Sequence, residues 1–164
     1  MFAVGDVVIY GKNGVCKVTD IGTIDLSMAT KGKQYYTMHP VFKKDAILYA
    51  PVENGKTVMR SVMTQEEAEE LINEIPSLDN VWIVSEKDRE LQYKSALSTC
   101  DCRELVKIIK TLYFRRESRI QDGKKVTVVD ERYCKLAEDQ LYEELSYALK
   151  KSREELDSII IDCL

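Results

Sequence analysis

The sequence predicts an α+β protein in which a small β-barrel is followed by a helical bundle. Residues 1–62 alternate short runs of β-branched and aromatic residues with turn signals built on Gly and Asn. From Thr64 onward, apolar residues recur at the three- and four-residue spacing of amphipathic helices. With 164 residues, 45% of them hydrophobic, the chain is long enough for two small cores. We therefore expect two domains, at residues 1–62 and 63–164.

A β-hairpin is predicted to open the chain. Two runs rich in β-branched residues, Val7–Tyr10 and 15–21, flank the segment Gly11-Lys12-Asn13-Gly14. An Asn-Gly pair favours the positive φ angles of a tight hairpin turn. Because a lone hairpin is only marginally stable in water, further strands are expected to complete a small sheet or barrel.

Three more short strands are predicted at residues 34–41, 46–50 and 57–62. Pro51 ends the fourth strand because it cannot donate to a ladder, and Asn54-Gly55 marks the turn into the fifth. Five short strands joined by tight turns are typical of a strongly bent barrel of the SH3 or Tudor kind.

Tyr35 and Tyr36 are neighbours on the third predicted strand. Because successive strand residues point to opposite faces, one ring should lie in the core and the other should be exposed. An exposed tyrosine there is either a partner anchor or an ordinary surface residue.

Helix-start signals divide the second half of the chain. Thr64 with Glu67 forms a capping-box pattern, and the helix that follows should run to residue 75, where Pro76 stops it. Three further starts are marked by the pairs Ser85/Asp88, Asp101/Glu104 and Thr127/Asp130.

The third and fourth predicted helices carry apolar stripes. Gly123 should end the third helix, and residues 150–153 are either a break after the fourth or a continuation into 154–161. The stripe of the third helix is Leu105, Ile108, Ile109 and Leu112, and that of the fourth is Tyr133, Leu136, Ala137, Leu141, Leu145 and Ala148.

Charge is distributed unevenly along the chain. The net charge is −4, but residues 1–63 carry 8 basic against 5 acidic residues (+3), and residues 64–164 carry 16 against 23 (−7). Within the acidic part, residues 103–125 hold 8 basic and 3 acidic residues. Arg103, Lys107 and Lys110 should share one helical face, away from the apolar stripe. This cluster is either a phosphate-binding surface or a solvated face.

Composition argues against enzymatic, metal-binding and membrane roles. The five cysteines, at positions 16, 100, 102, 134 and 163, follow no disulfide or zinc spacing, and His39 is the single histidine. There is no phosphate-binding loop, no apolar run of 18 residues and no signal-peptide pattern at residues 1–3. We expect a cytoplasmic protein with thiol cysteines, no cofactor, no metal and no small-molecule substrate.

The only tryptophan, Trp82, lies in a predicted connector at residues 79–85. It is either an exposed probe or a plug packed against other side chains. The apolar run Val81-Trp82-Ile83-Val84 favours the plug.

Motifs in both halves resemble those of the CarD family of bacterial transcription regulators. The resemblance covers nearly the whole chain. The transcription-repair coupling factor has a similar barrel, but that protein also carries helicase motifs, which this chain lacks. The matching motifs are Val4-Gly5-Asp6-x-Val8-x-Tyr10-x-x-x-Gly14-Val15, Tyr93-Lys94-x-Ala96-Leu97, Asp101-x-Arg103-Glu104-Leu105-Val106 and Leu112-Tyr113-x-Arg115-Arg116.

The resemblance implies a non-enzymatic protein that binds the RNA polymerase β subunit through the barrel and promoter double-stranded DNA through the helices. The DNA contact would lie near the upstream edge of the transcription bubble and alter open-complex stability. The implied DNA-binding residues are Arg89, Lys94, Arg115, Arg116 and Arg119, and the implied polymerase-binding residues are Ile24, Tyr35, Ile47 and Tyr49.

This sequence departs from the family pattern at two sites. Arg89 stands where well-known members carry a tryptophan that wedges into the minor groove, and Trp82 lies seven residues upstream. Arginine is itself drawn to a narrow minor groove. Ile24 and Tyr49 stand where some members present arginines to the polymerase, so binding should depend on strand pairing and apolar contact.

Two hypotheses therefore remain. The first is a regulator that bridges polymerase and promoter DNA. The second is an adaptor that binds only protein, through two docking domains. Salt-dependent DNA binding distinguishes them, because only the first requires phosphate neutralisation.

Overall fold

The computed structural model describes residues 1–53, 55–80 and 85–164. The chain divides into two compact units, an N-terminal unit, Met1–Val62, and a helical unit, Met63–Leu164. The predicted Asn54-Gly55 turn includes a residue outside the described part, and the packing predicted for Trp82 lies wholly outside it.

The N-terminal unit is a five-stranded antiparallel sheet, which confirms the predicted strand-then-helix class. The strands are β1 (Val7–Tyr10), β2 (Val15–Gly22), β3 (Tyr35–Pro40), β4 (Leu48–Pro51) and β5 (Met59–Ser61), in the order β4-β3-β2-β1-β5. The sheet has a core of its own, formed by Val8, Cys16, Val18, Tyr36, Met38 and Ala50.

The hairpin between β1 and β2 turns differently from the expectation. Ile9 pairs with Val15, and the intervening loop contains a 3₁₀ turn, Gly11–Asn13. Positive φ angles occur at Gly11 (49°) and Gly14 (73°), whereas Asn13 is not among the positive-φ residues. The prediction of a tight turn at Asn13-Gly14 was therefore wrong. The loop is too long for a two-residue turn, and its glycines reverse the chain.

Gly14→Val is expected to destabilise the N-terminal unit by about 1–3 kcal/mol, because φ 73°, ψ −143° is strained for any residue with a Cβ. Gly22→Val on β2 is the matched control, since a Cβ there meets no atom within 4 Å and its φ is not in the left-handed region. Urea unfolding of both variants measures the difference. Equal stability of the two would contradict the strained turn.

Tyr35 and Tyr36 are both buried, so the expected exposed ring is absent. Tyr36 packs in the sheet core, and its hydroxyl accepts a hydrogen bond from the Phe2 backbone N–H at 3.1 Å. Tyr35 points to the opposite face, but its hydroxyl accepts from the Thr30 N–H at 3.1 Å. The loop before β3 therefore lies against a ring that strand alternation alone would leave in solvent.

The described residues of the helical unit form five α-helices. The predicted capping box at Thr64 is confirmed, with both reciprocal hydrogen bonds to Glu67, and the helix ends in a 3₁₀ turn, Ile75–Ser77, at Pro76. The helices are α1 (Gln65–Glu74), α2 (Glu86–Ser98), α3 (Cys102–Gln121), α4 (Val128–Leu149) and α5 (Arg153–Cys163).

The other helix ends also follow local signals. Asp101 and Thr127 accept hydrogen bonds from the first turns of α3 and α4, whereas the Ser85 hydroxyl donates to the Asp88 carboxylate. The alternative left open at residues 150–153 is a break: Lys150 adopts a left-handed conformation, and Ser152 begins α5 with its own capping box.

The core of the helical unit lies around α3 and α4. All four predicted stripe residues of α3 are buried. On α4 the buried residues Tyr133, Ala137, Leu141 and Leu145 follow one row at four-residue spacing. Leu136 is 42% exposed, so its predicted burial was wrong. Leu136 directly precedes Ala137 in the sequence, so its side chain points away from that buried row.

Candidate functional sites

The β4 edge of the N-terminal sheet gathers two of the predicted polymerase-binding residues. β4 pairs with β3 on one side, and among the described residues no strand pairs with its other side. Ile47 and Tyr49 are exposed beside this edge, and Ile24 is half-buried. An open strand edge with exposed apolar side chains is suited to binding an added strand from a partner.

Tyr35 does not present its ring to a partner in this structure. Its register partner on β4 is Pro51, and Tyr49 lies opposite Thr37. The Tyr35 ring is 9% exposed. Of the four residues predicted to bind polymerase, Tyr35 is therefore the one that is buried.

Among the described residues of the helical unit, the most buried ion pair joins α3 to the first turn of α4. Arg115 Nε donates to Asp130 Oδ2 at 2.6 Å, and the two side chains are 20% and 5% exposed. Asp130 also accepts from the Tyr93 hydroxyl at 3.5 Å. This ion pair is largely removed from solvent. Because Tyr93 belongs to α2, the Asp130 carboxylate contacts side chains of both α2 and α3.

Arg89 and Arg115 share Glu86 as a partner. The Glu86 carboxylate accepts two bonds from Arg89, at 2.9 and 3.0 Å, and two from Arg115, at 3.1 and 3.3 Å. Hydrogen bonding from Arg89 is the main cause that lowers the pKa of the Glu86 carboxyl. A lowered carboxyl pKa stabilises the fold above the ordinary pKa, and that contribution is lost as pH falls through the folded value. Arg89 also donates to the Tyr93 hydroxyl at 2.9 Å.

The basic face predicted on α3 is largely neutralised. Arg103 binds Glu74 through two bonds of 2.7 and 2.8 Å, and Lys107 pairs with Glu104 at 2.9 Å. Lys110 is buried, which corrects the expectation of an exposed position. Its ammonium donates to the carbonyls of Ile75 and Pro76 in the 3₁₀ turn and of Leu78 directly after it.

The remaining positive charge collects where α3 ends, in a group we call the basic end, Arg116, Arg119, Lys124 and Lys125. In the described part of the chain, Arg116, Lys124 and Lys125 have no ion-pair partner, and Arg119 donates only to the Lys125 carbonyl. A carbonyl is neutral, so Arg119 keeps its full charge. Lys94, the other predicted DNA-binding residue, is exposed and pairs with Glu90 at 3.4 Å.

Sequence reasoning did not find the Arg115–Asp130 ion pair. The sequence indicated Asp130 only as the partner of Thr127 at the start of a helix. The structure has that contact, because the Asp130 N–H donates to the Thr127 hydroxyl. A pair whose members lie fifteen residues apart on different helices has no local pattern. The buried carboxylate was therefore not recognisable without the packing of α3 against α4.

The described residues contain neither a metal-binding cluster nor a helix that could span a membrane. Within residues 1–53, 55–80 and 85–164, no three His, Cys, Asp or Glu side chains are placed to hold a metal ion. None of the helices described is both long and apolar enough to cross a membrane.

The N-terminal unit matches a known domain family. The family model for the CarD-like/TRCF RID domain matches residues 2–63, which are the sheet and its flanks, and the match does not extend into the helices. A comparison of the whole chain with curated proteins found no significant match. The RID domain is a protein-interaction domain that binds RNA polymerase. Residues 2–63 of this chain thus form a CarD-like/TRCF RID domain.

Proposed function

We propose that this protein is a transcription regulator that bridges RNA polymerase and promoter DNA without chemistry of its own. The N-terminal unit binds the polymerase β subunit, and the helical unit binds double-stranded DNA near the upstream edge of the bubble. The bridge alters the stability of the open complex. The observation that supports it most is the RID domain match over residues 2–63.

The β4 edge is the surface proposed for the polymerase. Backbone N–H and C=O groups along an open strand edge supply affinity to an added strand, and neighbouring side chains supply specificity. Ile47 and Tyr49 are exposed there, and Ile24 adds a partly buried apolar side chain. Tyr35 is buried beside this edge, opposite Pro51 of β4.

The basic end is the surface proposed for DNA. Residues 116–125 hold four basic residues against Glu117 and Asp122, a local excess of +2 within a unit that is net negative. Positive side chains without carboxylate partners can replace condensed counterions on phosphates. Arg89, Lys94 and Arg115 would have to give up carboxylate partners to do the same, so the proposal gives them a smaller share.

The second hypothesis, an adaptor that binds only protein, is favoured by the ion pairs themselves. Arg103, Lys107, Arg115 and Arg132 are all engaged with carboxylates. A helical unit that is net acidic, and in which these basic side chains are paired with carboxylates, could serve as a second protein-docking surface. This hypothesis requires that DNA binding be absent.

Tyr49→Ala is expected to weaken binding to the polymerase β subunit about tenfold, because an exposed aromatic anchor at an interface contributes more than its neighbours. Tyr147→Ala on α4 is the matched control, since both tyrosines are 38% exposed. Biolayer interferometry with the isolated β subunit measures both. Equal affinities of the two variants for the β subunit would show that the β4 edge is not part of the interface.

Arg116→Ala is expected to flatten the slope of log K against log salt by about 0.9 for double-stranded DNA, because one phosphate contact is lost. Lys151→Ala, an exposed cation between α4 and α5, should leave the slope unchanged. Fluorescence anisotropy of the full chain with a promoter duplex measures the slope. Wild-type binding that is absent at low salt would favour the protein-only adaptor.

A further inference from the structure

A cavity of about 480 Å³ lies between α3, α4 and α5. Its buried wall is apolar and includes Ile109 and Leu112 of α3, and Ile161 and Leu164 from the end of the chain extend that wall outward. Small-molecule sites typically measure roughly 300–1,000 Å³ and combine an apolar lining with a few polar groups. This cavity has both properties, and the proposed contacts with polymerase and DNA do not use its interior.

Two uncommitted cations converge on the cavity from different helices. Arg116 of α3 and Lys135 of α4 both line it and are exposed, and neither has an ion-pair partner among the described residues. A third cation, Arg153 of α5, is held by Asp139 at 2.6 Å and lies over the Tyr142 ring. Two cations of the rim are therefore available to an anion.

The acidic groups that line the cavity are mostly engaged. Asp130 is paired with Arg115, and Asp157 accepts a hydrogen bond from the Tyr142 hydroxyl at 3.0 Å. Glu138 accepts from the Cys134 thiol at 3.5 Å, and burial raises the pKa of the Glu138 carboxyl.

The Glu131 carboxylate and the Cys134 thiol are two further groups in the lining that could carry negative charge. Glu131 is exposed and lies one turn before Lys135, and in the described part of the chain these two residues form no ion pair. Burial raises the pKa of the Cys134 thiol to about 12, so the thiol is neutral at physiological pH. The charges at the rim without an ion-pair partner among the described residues are therefore Arg116, Lys135 and Glu131, which leave one net positive charge beside an apolar interior.

We propose that this cavity binds a small amphipathic organic anion. Its apolar body lies against Ile109, Leu112 and Ile161, and its charged head group is held by Arg116 and Lys135. The inference does not depend on DNA binding, because the ligand would occupy the cavity of the free protein.

Decanoate is the probe, because it joins an apolar chain to one carboxylate, and decan-1-ol is its uncharged counterpart. Isothermal titration calorimetry of the full chain should show one saturable site with a Kd below about 100 µM for decanoate, and at least tenfold weaker binding of decan-1-ol. Arg116→Ala and Lys135→Ala should each weaken decanoate binding about tenfold.

Two further variants separate the cavity from its surroundings. Ile161→Trp should abolish binding by filling the cavity, and because Ile161 is exposed the fold should tolerate the larger ring. Lys124→Ala removes a cation of the basic end that does not line the cavity, so decanoate binding should not change. The inference is overturned if decanoate shows no saturable binding, if decan-1-ol binds equally well, or if both charge-removing variants at the rim bind as wild type does.

Discussion

Arg115→Ala is expected to lower the free energy of unfolding of the helical unit by about 2–4 kcal/mol, because it leaves the buried Asp130 carboxylate without its cationic partner. The cost comes mainly from the uncompensated charge. Asp130 is 5% exposed and cannot recover hydration without opening the contact between α3 and α4. The midpoint of thermal unfolding should fall by about 10–20 °C.

Arg103→Ala provides the matched control for that loss. Arg103 lies on the same helix and makes two short hydrogen bonds to the Glu74 carboxylate, but its side chain is 51% exposed and that of Glu74 is 38% exposed. Solvent screening should make its cost clearly smaller than that of Arg115→Ala. Circular dichroism at the helical band during urea unfolding measures both variants. Equal losses would show that burial of the Arg115–Asp130 pair does not matter.

Reversal of the basic end, Arg116→Glu with Arg119→Glu, is expected to weaken DNA binding by about 100-fold or more at moderate salt. Two positive charges become two negative ones at a surface where no carboxylate offsets Arg116 in the described structure. The fold should persist, although two acidic residues near the C-terminus of α3 are unfavourable to the helix dipole by about 0.3–1 kcal/mol each.

The neutral pair Arg116→Gln with Arg119→Gln tests whether charge alone causes that loss. It keeps the polar side chains without opposing the dipole, so its DNA affinity should lie between the wild type and the reversed variant. If the reversed variant binds DNA as wild type does, while Arg115 variants that remain folded do not, the phosphate contacts lie nearer the start of α4 than the basic end.

Much of the fold could be predicted from local signals. The capping box at Thr64, the apolar stripe of α3 and the stop at Gly123 all depend on residues within about one turn of each other. The five strands were predicted for the same reason, because β-branched runs and glycine-containing turns are local patterns.

The features that the sequence did not reveal depend on tertiary neighbours. Tyr35 is buried because the backbone at Thr30 lies against its hydroxyl, which strand alternation cannot indicate. Lys110 is buried because three carbonyls of a turn thirty-odd residues earlier accept its ammonium. Each case joins residues that are distant in sequence, and no single-segment pattern records such a contact.

The same reason limits what could be said of the candidate DNA surface. Counting charges between residues 103 and 125 pointed to α3 but did not separate engaged cations from available ones. The structure makes that separation, since Arg103 and Arg115 have carboxylate partners and Arg116 has none among the described residues. Available charge, and not the total charge of the segment, supports the proposed phosphate contacts.

The lifetime of the open complex tests the proposed bridge most directly. RNA polymerase, a promoter duplex and the full chain are mixed, and the decay of open complexes is followed after a heparin challenge. The wild type should change the lifetime. At a protein concentration near the wild-type Kd, Tyr49→Ala and Arg116→Glu with Arg119→Glu should each remove most of the change, because each weakens binding to one partner and leaves the other contact intact. A reversed variant that binds no DNA yet changes the lifetime as the wild type does would contradict the bridge and leave a protein that acts through the polymerase alone.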